Sequence, residues 1–205
     1  MPTCTRPAEK YEFMPVDHFS RHSSEEIFGN AHSLEIDLGC GDGKFLTEMA
    51  QHYPERNFLG VERLLGRVRT VSRKIEELGL TNAKVLRLES LYTLEWFLCK
   101  DCVSRLHLLC PDPWPKAKHH KRRLVQQPFL TALYDVLVEG GEFLFKTDHP
   151  EYYEWVREEL DQFDKFTYMQ WREDKTDTSF FYPKTDFQLL WESQGKLIQR
   201  IRCTK

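Results

Sequence analysis

At 205 residues, with 40% hydrophobic, 13% aromatic and 30% charged residues, the chain is long enough for one sizeable core, short of two full enzyme domains, and too aromatic to be disordered. Its formal charge of -3 excludes a global attraction to nucleic acid, so an RNA partner must be met by a local basic patch. No apolar run approaches the roughly 18 residues of a membrane span and the opening MPTCTRPAEKYEFMP has no signal-peptide core. A cytoplasmic protein with no membrane partner, monomeric or homodimeric, is therefore expected.

Residues 1–32 show no strong period and read as a loop-like segment ahead of a single domain, 33–205. Short apolar runs predict buried strands over 33–38, 57–61, 83–88, 104–110 and 141–147. Helices are predicted between them over 43–52, 63–79, 124–139 and 150–164. In 63–79, Leu64, Val68, Val71, Ile75 and Leu78 recur at steps of four and three, and Gly79 suits a C-terminal cap. Pro150 suits the first turn of its helix. Thr185 and Gln188 form a capping-box pattern that opens a helix over 185–194, before a last strand, 196–203. The polar stretch 172–184 reads as a loop near a ligand. The βαβα alternation predicts a doubly wound, mainly parallel α/β sheet of seven strands with helices on both faces, and ligands beyond the carboxyl ends of its strands.

Six cysteines at 4, 40, 99, 102, 110 and 203 share no repeated pair spacing. Reduced thiols are expected, and the single CxxC at 99–102 lacks the second pair that a metal site needs.

The first strand leaves through Glu35-Ile-Asp-Leu-Gly39-Cys-Gly41-Asp-Gly43-Lys. The dinucleotide fingerprint GxGxxG fails at Lys44. A GxGxG turn ahead of a helix suits instead an adenosyl ligand bearing an amino acid, with carboxylates for its ammonium and ribose hydroxyls. Glu35, Glu62 and Glu89, assigned to three successive strand ends, are the candidates, each against the plainer reading of a solvated or helix-capping acid.

After the fourth strand comes Cys110-Pro-Asp112-Pro-Trp114-Pro-Lys116. Three alternate prolines stiffen this loop, which presents a carboxylate and an indole beside the cofactor. Lys116, Lys118, Lys121, Arg122 and Arg123 follow, with His119 and His120 among them. Each phosphate neutralised by such a patch contributes a salt slope of about 0.7 to 0.9 log units. Arg63, Arg67, Arg69, Arg73 and Lys74 on the 63–79 helix extend the patch or form only a solvated face.

The series EIDLGCGDGKFL, GVE, PDPWPKAKHHKRRL, FKTD and TDFQ, spanning about 33–200, resembles the tRNA (guanine-N7-)-methyltransferase family, class I enzymes that use S-adenosylmethionine. The glycine motif is shared widely, whereas PDPWPK followed by HxKRR is specific. The resemblance implies methylation of N7 of guanosine 46 in the variable loop of tRNA. It implies that Glu35, Gly39, Gly41, Glu62, Glu89, Ser90 and Asp112 bind the cofactor and that Asp112 is catalytic. Lys116, Asp148, Thr185, Asp186, Phe187 and Gln188 would hold the nucleoside, and the basic run 118–123 would hold RNA. The chain departs from the family pattern at Glu89-Ser90, usually Asp or Asn followed by Ala, and at Gln188, usually Glu. Asp148 also suits a helix cap, and Trp114 either stacks on a base or wedges its loop. Two other readings are a class I methyltransferase acting on an exocyclic amine and a non-catalytic RNA-binding protein on the same fold.

Overall fold

The computed structural model describes residues 10–17, 19–171 and 181–205. Strands β1 (Leu34–Leu38), β2 (Asn57–Val61), β3 (Ala83–Leu86), β4 (Val103–Leu109), β5 (Leu137–Thr147), β6 (Thr167–Tyr168) and β7 (Gln199–Thr204) form one sheet in the order β3-β2-β1-β4-β5-β7-β6. β1 to β5 pair in parallel, and β7 lies antiparallel to both β5 and β6. Leaving β1, the chain adds strands on one side to β3 and then resumes on the other at β4. The switch point, where an open α/β sheet binds its ligand, therefore falls between β1 and β4.

The strands of the inner sheet are buried on both faces, hence their apolar runs. Leu34, Ile36 and Leu38 of β1 join Leu59, Leu106, Phe143 and Phe145 under α5 (Gln127–Val136) and α6 (Pro150–Phe163). On the other face Phe58, Val68, Val71 and Ile75 pack with Phe45, Leu46 and Met49 beneath α2 (Lys44–His52) and α3 (Leu65–Glu77). Gly79 takes φ 64° just past α3, as its sequence position predicts.

Four features depart from expectation. The N-terminal segment is not all loop: α1 (Ser24–Phe28) carries a reciprocal Ser23–Glu26 capping box and buries Ile27, and Phe13 N donates to Val85 O at β3's edge. Five residues are too few to show a helical period. The helix predicted to 139 stops at Val136, and β5 begins at Leu137, ahead of Gly140 and Gly141; the pairing with β4 shifts register between Val103 and Arg105. A short helix α4 (Ser90–Tyr92), continued by a wide turn over Thr93–Phe97, follows β3 where no helix was expected. β6 has only two residues. Most of the polar stretch 172–184 lies outside the described residues.

Candidate active site

Parallel register brings the strand ends to one edge. Leu38 is level with Val61, Val61 with Leu86, and Leu109 with Lys146, so Gly39, Glu62, Cys110 and Asp148 all emerge together, with Glu89 farther along. Gly39 N and Cys40 N both donate to Val61 O, turning the chain sharply out of β1. Gly43 then starts α2 at φ 80°, and a Cβ there would lie 2.9 Å from both Val71 methyls, so only glycine fits under α3. A Cβ on Gly39 or Gly41 would meet nothing within 4 Å. The backbone is open on the side where a ligand would lie.

Beneath that opening lies an acid the sequence reading passed over. Asp37 is 5% exposed, and its Oδ2 has no hydrogen-bond partner. Burial, then the charges of Glu62 and Asp42, push its carboxyl up to about 7. Glu35, expected here, is two residues deeper on the same face of β1. Its Oε1 lies 2.8 Å from Arg56 and 3.3 Å from Arg105, its Oε2 is 2.8 Å from His107 Nε2, and these partners outweigh burial and hold its pKa at about 2. Glu35 is therefore corrected from a cofactor ligand to a compensated structural charge. Both acids point the same way because strand side chains repeat every second residue, so alternation could not separate them. Counting back from Gly39 would have done so, since only the last inward acid reaches the edge.

Glu62, 7% exposed, accepts from Leu64 N at 2.8 Å, and its other oxygen is 3.6 Å from Arg67. Glu89 caps α4 by accepting from Tyr92 N at 2.8 Å, with Ser90 as the first helical residue. The capping alternative thus holds for Glu89, which is exposed.

The proline loop is held from below. Cys110 (φ 51°) and Trp114 (φ 45°) both adopt left-handed backbone before a proline, a costly conformation that needs outside support. Arg123 supplies it: Nε donates to Pro113 O at 3.0 Å, one terminal nitrogen meets Glu151 at 3.0 Å, and the guanidinium lies 5.2 and 5.1 Å from the rings of Tyr152 and Trp155. At 1% exposure Arg123 is not an RNA-facing cation, which corrects the reading of the basic run as one uniform patch. Its neighbours turn outward. Ala117–Arg122 forms a 3-10 helix on which Lys118, Lys121 and Arg122 are exposed, as are Lys116 before it and Asp112 in the loop. Arg122 stacks 4.9 Å from Trp114 and His119 lies edge-on to the same half-buried ring, so the indole packs against its own loop and the helix that follows. His120 faces Glu151 at 3.1 Å. α3 itself packs on the opposite face of the sheet from Arg123's ring partners.

Asp148 is 2.9 Å from Lys196, and α6 is capped by His149 instead, which removes the capping alternative for Asp148. α7 (Asp186–Ser193) is capped by Thr185, which accepts from Gln188 N at 3.0 Å. Asp186 and Phe187 are exposed. Gln188 is 2% exposed: Oε1 accepts from Lys146 at 3.0 Å and Nε2 donates to Glu192 at 2.9 Å. The capping box is therefore only half made, and the buried Gln188 amide is bonded within the protein through both Oε1 and Nε2.

These residues fit an adenosyl cofactor bearing an amino acid. A buried carboxylate with one unpartnered oxygen suits an ammonium group, the side-chain-free glycine turn leaves room for a ligand, and Glu62 at the next strand end suits a ribose diol. Among the described residues no cluster of His, Cys, Asp or Glu is arranged to hold a metal ion, and no helix is long and apolar enough to cross a membrane.

Comparison with known proteins agrees with this geometry. A family model described as "Putative methyltransferase" matches residues 31–201. Proteins named tRNA (guanine-N(7)-)-methyltransferase are similar: that of Syntrophotalea carbinolica is 40% identical over 66% of this chain and 59% of its own length. That of Geobacillus kaustophilus is 38% identical over 73% and 69%, and that of Streptococcus suis 30% over 87% and 84%. The chain thus spans less than two thirds of the Syntrophotalea protein's length. Among solved structures, the 16S rRNA methyltransferase KamB superposes with a TM-score of 0.62 at 17% identity, covering 90% of this chain and 94% of that one. An rRNA methylase from Streptococcus thermophilus gives 0.56 at 13%, covering 86% and 88%. At such identities these two speak for the fold alone, a class I methyltransferase fold. With a family model across residues 31–201 and relatives of this similarity, the chain belongs to the tRNA (guanine-N7-)-methyltransferase family.

Proposed function

We propose that this protein transfers a methyl group from S-adenosylmethionine to N7 of guanosine 46 in tRNA. The observation that carries the reading is the clamped Pro111–Pro115 loop, which presents exposed Asp112 at the switch-point edge, directly ahead of a 3-10 helix of exposed cations. Asp37, Gly39, Gly41, Glu62, Glu89 and Ser90 hold the cofactor, with Asp37 replacing Glu35 in the set first read from sequence. When bound, the cofactor supplies an activated methyl group on a sulfonium.

Guanine N7 carries no proton and is already a nucleophile, so the protein's task is alignment rather than deprotonation. Positive charge passes to the purine as the methyl bond forms. Asp112 and Asp148, carboxylates at neighbouring strand ends, stabilise that charge and accept from guanine N1–H and its amine, which an adenine cannot offer. Lys116, Lys118, Lys121 and Arg122 meet phosphates, and Thr185, Asp186 and Phe187 contact the nucleoside. The exocyclic-amine reading has less support, since such enzymes usually carry two adjacent prolines and here Trp114 separates Pro113 from Pro115.

The test is incubation of the full chain with labelled S-adenosylmethionine and unmodified tRNA, alongside Asp112→Ala, followed by digestion to nucleosides. Label in 7-methylguanosine, lost in the variant and in a transcript without guanosine at 46, is the expected result. Label in another nucleoside overturns the substrate, and tight tRNA binding without label favours a non-catalytic protein.

A further inference from the structure

The sheet face that carries Glu35, Asp37, His107 and Lys146 is charged where a core would normally be apolar. Glu35 is level with Arg105, Arg105 with Glu142, and Asp37 with His107, while Lys146 lies farther along β5. His107 is fully buried, and burial pushes its pKa down. A neutral ring facing an acceptor-only carboxylate must donate from Nε2 to Glu35, which leaves Nδ1 to accept from the Tyr182 hydroxyl at 2.8 Å. Lys146, 1% exposed, donates to Gln188 Oε1 and lies 4.6 Å from the Tyr182 ring centre. Gln188 passes the chain on to Glu192, which pairs with Lys184 at 2.6 Å.

Tyr182 and Gln188 are thus tied to buried groups of β4 and β5, and they bracket Thr185, Asp186 and Phe187. A second tie runs from Lys44 Nζ to Lys184 O at 3.4 Å. An apolar cover over this floor would strand its charges, so only a cover with the right polar groups in the right register is stable. A slip of one residue along the segment would lose both the Tyr182 and the Gln188 bonds.

We propose that His107 and Lys146 are positioning residues that fix residues 185–187 in place before RNA arrives, so that the ordering cost is met in folding rather than in binding. The proposal rests on the functional reading above, in which those residues contact the nucleoside. Neither positioning residue touches substrate.

The test is Tyr182→Phe in the full chain, which keeps the ring and deletes one hydroxyl. Methyl transfer is measured with tRNA and S-adenosylmethionine varied separately, and hydrogen exchange is followed in peptides covering 181–193. A lost buried hydrogen bond of about 1 kcal/mol corresponds to roughly a fivefold rise in KM for tRNA. The expected pattern is that rise with kcat and cofactor affinity within twofold, and faster exchange confined to 181–193. Lys146→Met should give the same split; if it fails to fold, Tyr182→Phe still decides. Unchanged exchange overturns the anchor, and loosened exchange with unchanged KM overturns the positioning role. Loss of stability together with cofactor affinity would make the bond merely structural. A wild-type protein that does not methylate tRNA sinks the functional reading, while the exchange data still decide whether the anchor exists.

Discussion

Two acids on one strand, two residues apart and facing the same way, have opposite fates. Glu35, in the amino-terminal half of β1, is wrapped by Arg56, Arg105 and His107 and stays ionised down to about pH 2. Asp37, at the carboxyl end, is as buried, is unpaired on one oxygen, and titrates near 7. Burial is nearly equal, so the partners make the difference. A buried charge whose partners are supplied by the chain stabilises the fold, whereas one left without a partner is poised for a ligand that brings the opposite charge.

The largest effect should come from Asp37→Asn. Losing the buried carboxylate is expected to weaken S-adenosylmethionine binding about a hundredfold, roughly 3 kcal/mol, by calorimetric titration at pH 7.5. The same variant should gain stability. Because Asp37's folded pKa lies above its unfolded value, the folded state holds a proton the unfolded chain has lost, and stability falls as pH rises from about 4 to about 7. Thermal melts of the ligand-free protein should put Asp37→Asn above wild type at pH 8 and level with it at pH 4. A variant that binds normally would break the comparison.

Glu35→Gln should do the reverse, costing about 3 kcal/mol at pH 7 while leaving cofactor affinity within threefold. Glu35's folded pKa is depressed, so its contribution is complete above about pH 4.5 and lost as pH falls towards 2. Denaturant melts across that window should show wild type losing stability faster than Glu35→Gln.

The basic run offers a smaller version of the same contrast. Arg123→Ala removes a buried guanidinium bonded to Pro113 and Glu151 and should cost about 2–4 kcal/mol, with kcat falling as the loop loses its clamp. Smallest is exposed Lys121→Ala. Stability should change by less than about 0.5 kcal/mol, and the salt slope of tRNA binding should fall by roughly 0.7–0.9 if one phosphate contact is lost. Melting and filter-binding at several salt concentrations separate the two.

Much of this was legible in the residues. The apolar runs and the 3.6-residue period of 63–79 located the inner strands and α3 within a few positions, because buried parallel strands and amphipathic helices carry their own pattern. The glycine turn and the alternate prolines were readable because each demands a backbone that few other residues supply. Less was visible for α1, α4 and β6, whose few residues owe their form to what they pack against. Composition singled out 118–123 as basic, yet could not tell Arg123 from Arg122, one clamped inward on Glu151 and the other stacked on Trp114.

By itself the sequence determined the alternation of the inner strands and helices, the glycine turn after β1, and the stiff proline turn ahead of a basic run, since local geometry and period are written in neighbouring residues. Tertiary structure alone decided which acid is compensated, which arginine is buried, and that Tyr182 and Gln188 are tied to His107 and Lys146. Those outcomes depend on groups brought together from distant parts of the chain, Arg56 and Glu35 21 residues apart and His107 and Tyr182 75 apart, and a polar group's role is set by what faces it in space.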